Sequence, residues 1–197
     1  MARNKVQFQK GVSLNEFIKD YGTEELCFAA LYAWRWPEGF KCPSCGHDKC
    51  CQLSVRKLQQ CNRCHSQTSV TAGTVFESTK LPLTLWFQGI YLMTQNKKGI
   101  SAMKLHRDLG ISYNAAWRMK HKLMQVMMER DHVKKLSGTI ELDDAYLGGE
   151  RTGSKRGRGA ADKTPFVAAV ETTNDRNPVK LKLSVVKGFR SSEIKSW

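Results

Sequence analysis

Four cysteines in two closely spaced pairs are the residues of this sequence best suited to a defined chemistry. Cys42 and Cys45 frame "CPSC", Cys61 and Cys64 frame "CNRC", and fifteen residues separate the two pairs. This spacing is typical of four-thiolate zinc sites, because each C-x-x-C can fold into a tight knuckle that directs two sulfurs the same way. With all four coordination positions filled by protein, the Zn²⁺ would be structural rather than catalytic. Iron in the same tetrahedral cage, or reduced cysteines without a metal, are the alternatives.

Other thiols and imidazoles lie near these pairs. Cys27 stands on an apolar helical face and is predicted to be a core residue. The remaining candidates for additional ligands are predicted to lie in loops: His47, Cys50, Cys51 and His65. Seven cysteines in a chain without an export signal favour thiolate or metal chemistry over a disulfide framework.

Two adjacent carboxylates interrupt an apolar, strand-like stretch, "TIELDDAYLGG", at residues 139 to 149. Side chains alternate along a strand, so Asp143 should share one face with Glu141, and Asp144 the opposite face with Leu142. Asp143 is predicted to ligate a hard divalent cation such as Mg²⁺, which prefers carboxylate oxygen. Asp144 is predicted to cap the following turn or to pair with the basic segment after it. The alternative is that both aspartates simply pair with Lys or Arg.

Residues 99 to 124, "GISAMKLHRDLGISYNAAWRMKHKLM", predict a short helix, a turn at "LGIS" and a second helix. Ser112 can cap the second helix. The helical spacing of Ala116, Met119 and Leu123 predicts that these three residues face inward. This layout is that of a helix-turn-helix, and an ordinary helical hairpin with a solvated basic face is the alternative. The side chains then predicted to contact a DNA groove and its phosphates are Tyr113, Asn114, Arg118, Lys120 and Lys122.

The charge balance also favours a polyanionic partner. The 197 residues contain 32 Lys and Arg against 18 Asp and Glu, with a pI near 9.6, which most simply indicates nucleic acid. A ribosomal or membrane-surface protein could have a similar balance. The N-terminus lacks an apolar signal region, and no segment approaches the roughly 18 apolar residues of a membrane span. A cytoplasmic protein that does not enter a membrane is therefore predicted.

Four stretches of different pattern must position these residues, and together they predict an α+β chain of several domains. An N-terminal helical segment (1 to 39) contains two helices between 13 and 36, with a capping box at Ser13 and Glu16. A β-rich ribbon follows at 40 to 72, then a helical region at 81 to 132. The last region, 138 to 197, has β-type runs at 139 to 147, 165 to 173 and 180 to 187.

In combination, these motifs resemble a known family. The four-cysteine ribbon is followed in order by "SVTAGTVFESTKLPLTLWFQGIYLM", "LGISYNAAWRMKHKL" and "IELDDAYLGG". This order is similar to that of the insertion-sequence transposases with a zinc ribbon and an RNase H-like DDE core, the Merlin-related bacterial group. The resemblance extends from about residue 25 to residue 197. The family usually has Glu at the position of Asp144.

The resemblance implies roles for several residues. Asp143 would be the first catalytic aspartate, a ligand of Mg²⁺ or Mn²⁺, and the four cysteines would bind zinc. The three β-runs would be the antiparallel strands that open an RNase H-like core, and "SSEIKSW" its first helix. The implied activity is metal-dependent cleavage at transposon ends followed by strand transfer. Carboxylates from later elements would complete such a site, so 1 to 197 is expected to be the front part of a longer transposase.

The segment "ERTGSKRGRGAADK", 150 to 163, is predicted to be the hairpin loop between the first two of these strands. Its glycine-spaced cations suit an arm that neutralises DNA phosphates, and a solvated loop without a partner is the alternative. The cations predicted to contact DNA are Arg151, Lys155, Arg156 and Arg158.

Two hypotheses about the whole molecule follow. The first is a DNA transposase that binds double-stranded transposon ends and target DNA as a homo-oligomer, associated with the nucleoid. The second is a non-enzymatic zinc-ribbon and helix-turn-helix protein that recruits or regulates, with the β-region as an interaction module.

Overall fold

The computed structural model describes residues 11–53, 57–96, 99–133, 135–148 and 163–196. In these ranges the chain forms six helices and two three-stranded antiparallel sheets, a mixed helix and sheet architecture. The elements in chain order are α1 (Leu14–Tyr21), α2 (Glu24–Arg35), β1 (Cys50–Leu53), β2 (Leu58–Cys61), β3 (Gln67–Ser69), α3 (Leu83–Gln95), α4 (Ala102–Leu109), α5 (Tyr113–Val133), β4 (Thr139–Leu147), β5 (Thr164–Thr172), β6 (Pro178–Val185) and α6 (Ser191–Ser196).

The described residues form two compact units. The amino-terminal unit is Gly11–Glu129, and the carboxy-terminal unit comprises the described residues from Arg130 onward. None of the helices in the part of the chain that the structure describes combines the length and the apolar character that a bilayer crossing requires.

Helices α1 and α2 begin at side-chain caps. The predicted capping box at α1 is confirmed, because the Ser13 N–H donates to a Glu16 carboxylate oxygen (2.8 Å) and the Glu16 N–H donates to Ser13 Oγ (3.2 Å). Thr23 caps α2 through its hydroxyl. Both helices bury apolar side chains in the core of the amino-terminal unit.

Helix α3 obtains its cap from another helix. Its N-cap residue, Pro82, offers no side-chain acceptor. The Glu24 carboxylate of α2 accepts instead from the backbone N–H groups of Leu83 (3.1 Å) and Thr84 (3.2 Å). This carboxylate satisfies two otherwise unpaired donors and fixes α2 against the start of α3.

The ribbon sheet, β1–β2–β3, is joined to this helical layer at α2. The Arg35 guanidinium donates to the carbonyl oxygens of Val70 (3.0 Å) and Ala72 at the end of the ribbon sheet. One apolar cluster includes residues of the ribbon and of the helices, so both share a core. The members of this cluster on either side of the cysteines in sequence include Trp36, Phe40, Val70 and Phe76.

The carboxylate sheet, β4–β5–β6, forms the carboxy-terminal unit with α6. Its register pairs Asp143 with Ala168 and Asp144 with Val167. The Glu171 carboxylate accepts from the Ser137 N–H (3.1 Å) and from Lys180 Nζ (3.3 Å), so it connects the entry to β4 with β6. These two contacts, the Ser137 bond above all, hold the pKa of Glu171 below its ordinary value.

Candidate functional site

The two C-x-x-C segments fold into knuckles with the same hydrogen bonds. In the first knuckle the Gly46 N–H donates to the Cys42 carbonyl oxygen (2.9 Å), and the Cys42 N–H donates to the His47 carbonyl oxygen (2.8 Å). The second knuckle repeats both bonds at Cys61, with His65 as donor and Ser66 as acceptor, each at 3.0 Å. The same local backbone hydrogen bonds therefore shape both pairs.

The knuckles bring the four predicted cysteines together, and the geometry fits zinc. All four Sγ atoms lie within 4.8 Å of one another, with Cys42 and Cys64 at 3.5 Å and Cys45 and Cys61 at 3.6 Å. A tetrahedral Zn²⁺ with Zn–S bonds of about 2.3 Å separates its sulfurs by about 3.8 Å. Two of the sulfur–sulfur separations lie slightly below this value and none exceeds 4.8 Å, so a metal would need only small side-chain adjustments.

Backbone hydrogen bonds favour the thiolate form of one cysteine in each knuckle. Burial acts to raise the pKa of the Cys42 thiol, but hydrogen bonds from the backbone N–H groups of Cys45 and Ser44 outweigh it and hold that pKa at about 6. At Cys61 burial is likewise outweighed, by the N–H groups of Cys64 and Arg63, and the pKa is lowered. Because a metal binds the thiolate form, these bonds prepare Cys42 and Cys61 for a cation. At Cys45 the His47 N–H lowers the pKa, but the Cys64 thiol, burial and the other two thiols outweigh it and raise that pKa.

The other thiols have different surroundings. Cys27 is fully buried and donates to the Tyr21 carbonyl oxygen (3.2 Å), and burial, assisted by the charge of Glu24, raises the pKa of its thiol to about 11. The prediction of Cys27 as a core residue is confirmed. Cys50 and Cys51 donate to oxygens of Gln59 and Gln60. Within the described ranges, the group of potential ligands close enough to share one ion comprises Cys42, Cys45, Cys61 and Cys64.

Asp143 and Asp144 lie on β4, and their side chains point to opposite faces of the carboxylate sheet. The strand predicted at residues 139 to 147 is thereby confirmed. Asp143 shares its face with Glu141 and accepts from the Asp144 N–H through Oδ1 (2.9 Å). Around Asp143 the described residues do not gather three or more His, Cys, Asp or Glu side chains at metal-binding distance.

Helices α4 and α5 are joined by a turn of three residues. Gly110 ends α4 with a φ of 64°, a left-handed conformation that favours glycine. Ile111 is buried, and Ser112 Oγ accepts from the Ala115 N–H (3.2 Å) at the start of α5. The predicted burial of three α5 residues is confirmed for Ala116, Met119 and Leu123.

The predicted DNA contacts on α5 occupy different positions around the helix. Tyr113, Asn114 and Arg118 are exposed. Lys120 is half-buried, and Lys122 Nζ donates to the Glu77 carbonyl oxygen (3.2 Å). The four loop cations that were also predicted to contact DNA lie outside the described residues: Arg151, Lys155, Arg156 and Arg158.

Two exposed aromatic side chains of α5, Trp117 and His121, were not singled out from the sequence. Trp117 is 47% exposed and packs against His121, with ring centroids 4.0 Å apart. The signal that would have found both is their spacing from Asn114 and Arg118, since 114, 117, 118 and 121 follow the i, i+3, i+4, i+7 pattern of one helical face.

Comparison with known proteins gives matches in both units. Residues 22–67 match the family model of a transposase zinc-ribbon domain, and residues 135–197 match that of an ISXO2-like transposase domain. The chain is also 29% identical, over 192 residues, to a protein of Halobacterium salinarum described as an uncharacterized protein in transposable element ISH50. That alignment covers 88% of this chain and 64% of the relative. No solved structure matches the chain.

These matches confirm the predicted resemblance to zinc-ribbon-bearing transposases of insertion sequences. The zinc-ribbon match contains all four clustered cysteines, which supports a structural zinc. The second match contains β4 and its two aspartates.

Proposed function

We propose, from the transposase zinc-ribbon domain and the ISXO2-like transposase domain that the chain carries, that the protein is a DNA transposase of an insertion sequence. Its activity is metal-dependent cleavage at the ends of the element, followed by strand transfer into target DNA. The observation that carries this proposal is the presence, in one chain, of a four-thiolate cluster in the first domain and an aspartate-bearing strand in the second. The chain spans 64% of the length of the curated relative, so the activity of the whole protein is part of the proposal.

The zinc has a structural role in this proposal. Cys42, Cys45, Cys61 and Cys64 would fill its four positions, which leaves none for a substrate or a water molecule. The ion would hold together a ribbon whose strands are only three or four residues long.

Asp143 is the residue proposed to hold the catalytic cation, Mg²⁺ or Mn²⁺. Its side chain is exposed on the middle of β4 and offers carboxylate oxygens, the ligand type that these hard cations prefer. Such a cation would supply Lewis-acid polarisation of a phosphate oxygen. The antiparallel order β4–β5–β6, followed by α6, supports an RNase H-like core that begins at β4.

DNA binding is proposed for the amino-terminal unit. Helix α4, the turn Gly110–Ser112 and helix α5 would form a helix-turn-helix, with α5 as the helix that enters the major groove. The loop cations from Arg151 to Arg158 are proposed as additional phosphate contacts. Two element ends must be processed together, so the acting form is proposed to be a homo-oligomer on double-stranded DNA.

The test of the catalytic assignment is Asp143→Asn in the complete gene product. Cleavage of a labelled duplex that carries an element end should fall below detection, while affinity for that duplex stays within about twofold, because the change removes a metal ligand and no phosphate contact. The matched control is Asp144→Asn on the opposite face of β4, which should retain most of the cleavage activity. Full cleavage by the Asp143→Asn variant would refute the assignment.

A non-enzymatic DNA-binding protein is the second candidate function. The observation that favours it is that the described residues gather no cluster of carboxylates around Asp143. This candidate gains support if the unsubstituted gene product binds element ends but leaves them intact with either Mg²⁺ or Mn²⁺.

A further inference from the structure

The outward side of α5 carries a group of residues with complementary chemistry. Ala116, Met119 and Leu123 are buried, and at about 100° per residue the side of the helix opposite to them is occupied by the i, i+3, i+4, i+7 set that starts at residue 114. We call this set the outward face: Asn114, Trp117, Arg118 and His121. It combines an amide, an indole, a guanidinium and an imidazole over two helical turns.

Trp117 is the unusual member of the outward face. Its indole is 47% exposed although tryptophan is among the residues that gain most from burial. The His121 ring packs against it with centroids 4.0 Å apart and an angle of 44° between the ring planes. This contact limits the motion of the indole, so less conformational entropy is lost when a partner covers it.

Charge determines which partner suits the outward face. From Tyr113 to Met128 the sequence of α5 contains Arg118, Lys120 and Lys122 but no Asp or Glu. A polyanion is therefore attracted along the helix, whereas a second copy of the same cationic helix is repelled. The outward face lies at the amino-terminal end of α5, directly after the turn that precedes the helix. In a helix-turn-helix, this end of the second helix contacts base edges in the major groove.

We propose that Trp117 makes an apolar contact with thymine methyl groups in the major groove of duplex DNA. Asn114 and Arg118 bond to neighbouring base edges, for which adenine and guanine offer the matching acceptors and donors. His121 is a positioning residue that holds the indole. The inference rests on the proposed DNA binding by α5 and adds which bases the helix reads.

The experiment uses the zinc-loaded chain and the short duplex that it selects from a random pool. Trp117→Ala should weaken binding about five- to hundredfold, the range of a good base contact, with the dependence on salt unchanged because no phosphate contact is lost. Arg118→Ala should also weaken binding without changing the salt dependence, because its guanidinium contacts a base, and a reduced salt dependence would refute that base contact. Val126→Ala, an exposed apolar residue of the same helix outside the outward face, is the control and should bind like the unsubstituted chain.

A double-mutant cycle tests the thymine methyl directly. Replacing the thymines of the selected duplex by deoxyuridine removes only methyl groups, and this should weaken binding by the unsubstituted chain several-fold but leave binding by Trp117→Ala nearly unchanged. Trp117→Phe, which keeps an aromatic ring, should retain part of the sensitivity and shows that the site is folded.

Each adverse outcome has its own meaning. If the unsubstituted chain selects no duplex even at low salt, the proposed DNA binding fails, and this inference fails with it. If it binds but Trp117→Ala binds equally well, or remains equally sensitive to deoxyuridine, the DNA binding stands and the role of Trp117 is refuted. A change in oligomeric state on Trp117→Ala, with DNA affinity unchanged, would assign the indole to a protein interface instead.

Discussion

At the scale of single residues, the two cysteine knuckles share a left-handed backbone conformation at one position but have different residues there. The fifth residue of each knuckle has a positive φ, 71° at Gly46 and 55° at His65. Glycine adopts this left-handed region without a steric penalty, whereas a residue with a Cβ is strained there by about 1 kcal/mol or more. The first knuckle therefore has the residue that its backbone favours, and the second stores strain at His65.

We predict opposite effects of substitutions at these two positions. Gly46→Ala should lower stability by about 1 kcal/mol through conformation alone, because a Cβ at this position meets nothing within 4 Å. His65→Gly should be neutral or stabilising by a similar amount. Since folding and metal binding are linked, competition with a chelator should show zinc affinity about fivefold lower for Gly46→Ala. Unchanged affinity of Gly46→Ala would contradict the strain argument.

The zinc cluster was predictable at this scale because its cause is local. A C-x-x-C segment forms its knuckle from bonds within six residues, so the sequence spacing of Cys42, Cys45, Cys61 and Cys64 is sufficient. The sequence prediction included Asn114 and Arg118 of the outward face of α5 but not the rings of Trp117 and His121. The other two predicted cations, Lys120 and Lys122, lie outside that face, where Lys120 is half-buried and Lys122 is exposed.

At the scale of elements, the contact between α2 and α3 depends on one carboxylate. Glu24 is the acceptor for the first two backbone N–H groups of α3, which Pro82 cannot serve. A carboxylate at a helix N-terminus also interacts favourably with the helix dipole. The orientation of α3, on which α4 also packs, is thus coupled to a residue near the start of the chain.

We predict that Glu24→Ala lowers the free energy of unfolding of the amino-terminal unit by about 1 to 2 kcal/mol, because two N–H groups lose their acceptor. Glu25→Ala is the matched control. It removes the neighbouring exposed acid from the same first turn of α2 and should have an effect below about 0.5 kcal/mol. Urea unfolding followed by tryptophan fluorescence measures both, and equal losses for the two variants would contradict a specific cap.

Sequence reasoning could find the capping box of α1 but not this cap. Ser13 and Glu16 are three residues apart, whereas Glu24 and Leu83 are 59 apart and meet only through tertiary packing. The same limit applies to the strand ends. The three predicted β-runs correspond to β4, β5 and β6, but β5 and β6 begin one and two residues earlier than predicted, because strand pairing and an irregularity at Glu171/Thr172 fix the ends.

At the scale of the whole molecule, the cysteine cluster belongs to the core of one unit. Cys42 and Cys61 are buried in the same apolar cluster as Trp36 and Phe40, which follow α2. All of these residues belong to Gly11–Glu129, whereas Asp143 belongs to the carboxy-terminal unit. The cysteine cluster and the candidate catalytic carboxylate thus lie in separate units.

Removal of zinc should therefore increase hydrogen exchange in the ribbon sheet but not in the carboxylate sheet. After chelation we predict faster amide hydrogen exchange, by at least about tenfold, in β1, β2, β3 and the last turn of α2, because the thiolates then lose the ion that offsets their mutual repulsion. The amides of β4, β5 and β6 should retain their protection. Mass-spectrometric exchange before chelation, after it and after zinc is restored measures this. Equal loosening of both sheets, or none in the ribbon sheet, would contradict the prediction.

The position of β4 has a consequence for solubility. In the described part of the chain β4 is an edge strand that pairs with β5 alone, and open edges are templates for aggregation. Glu141, Asp143 and Asp144 place three acidic side chains along this edge, and charges of this kind act as gatekeepers against strand addition between molecules. In a chain limited to the described strands, neutralising Asp143 is therefore expected to favour association through β4. The activity of Asp143→Asn should be compared on the monodisperse fraction, where precipitation cannot imitate a chemical defect.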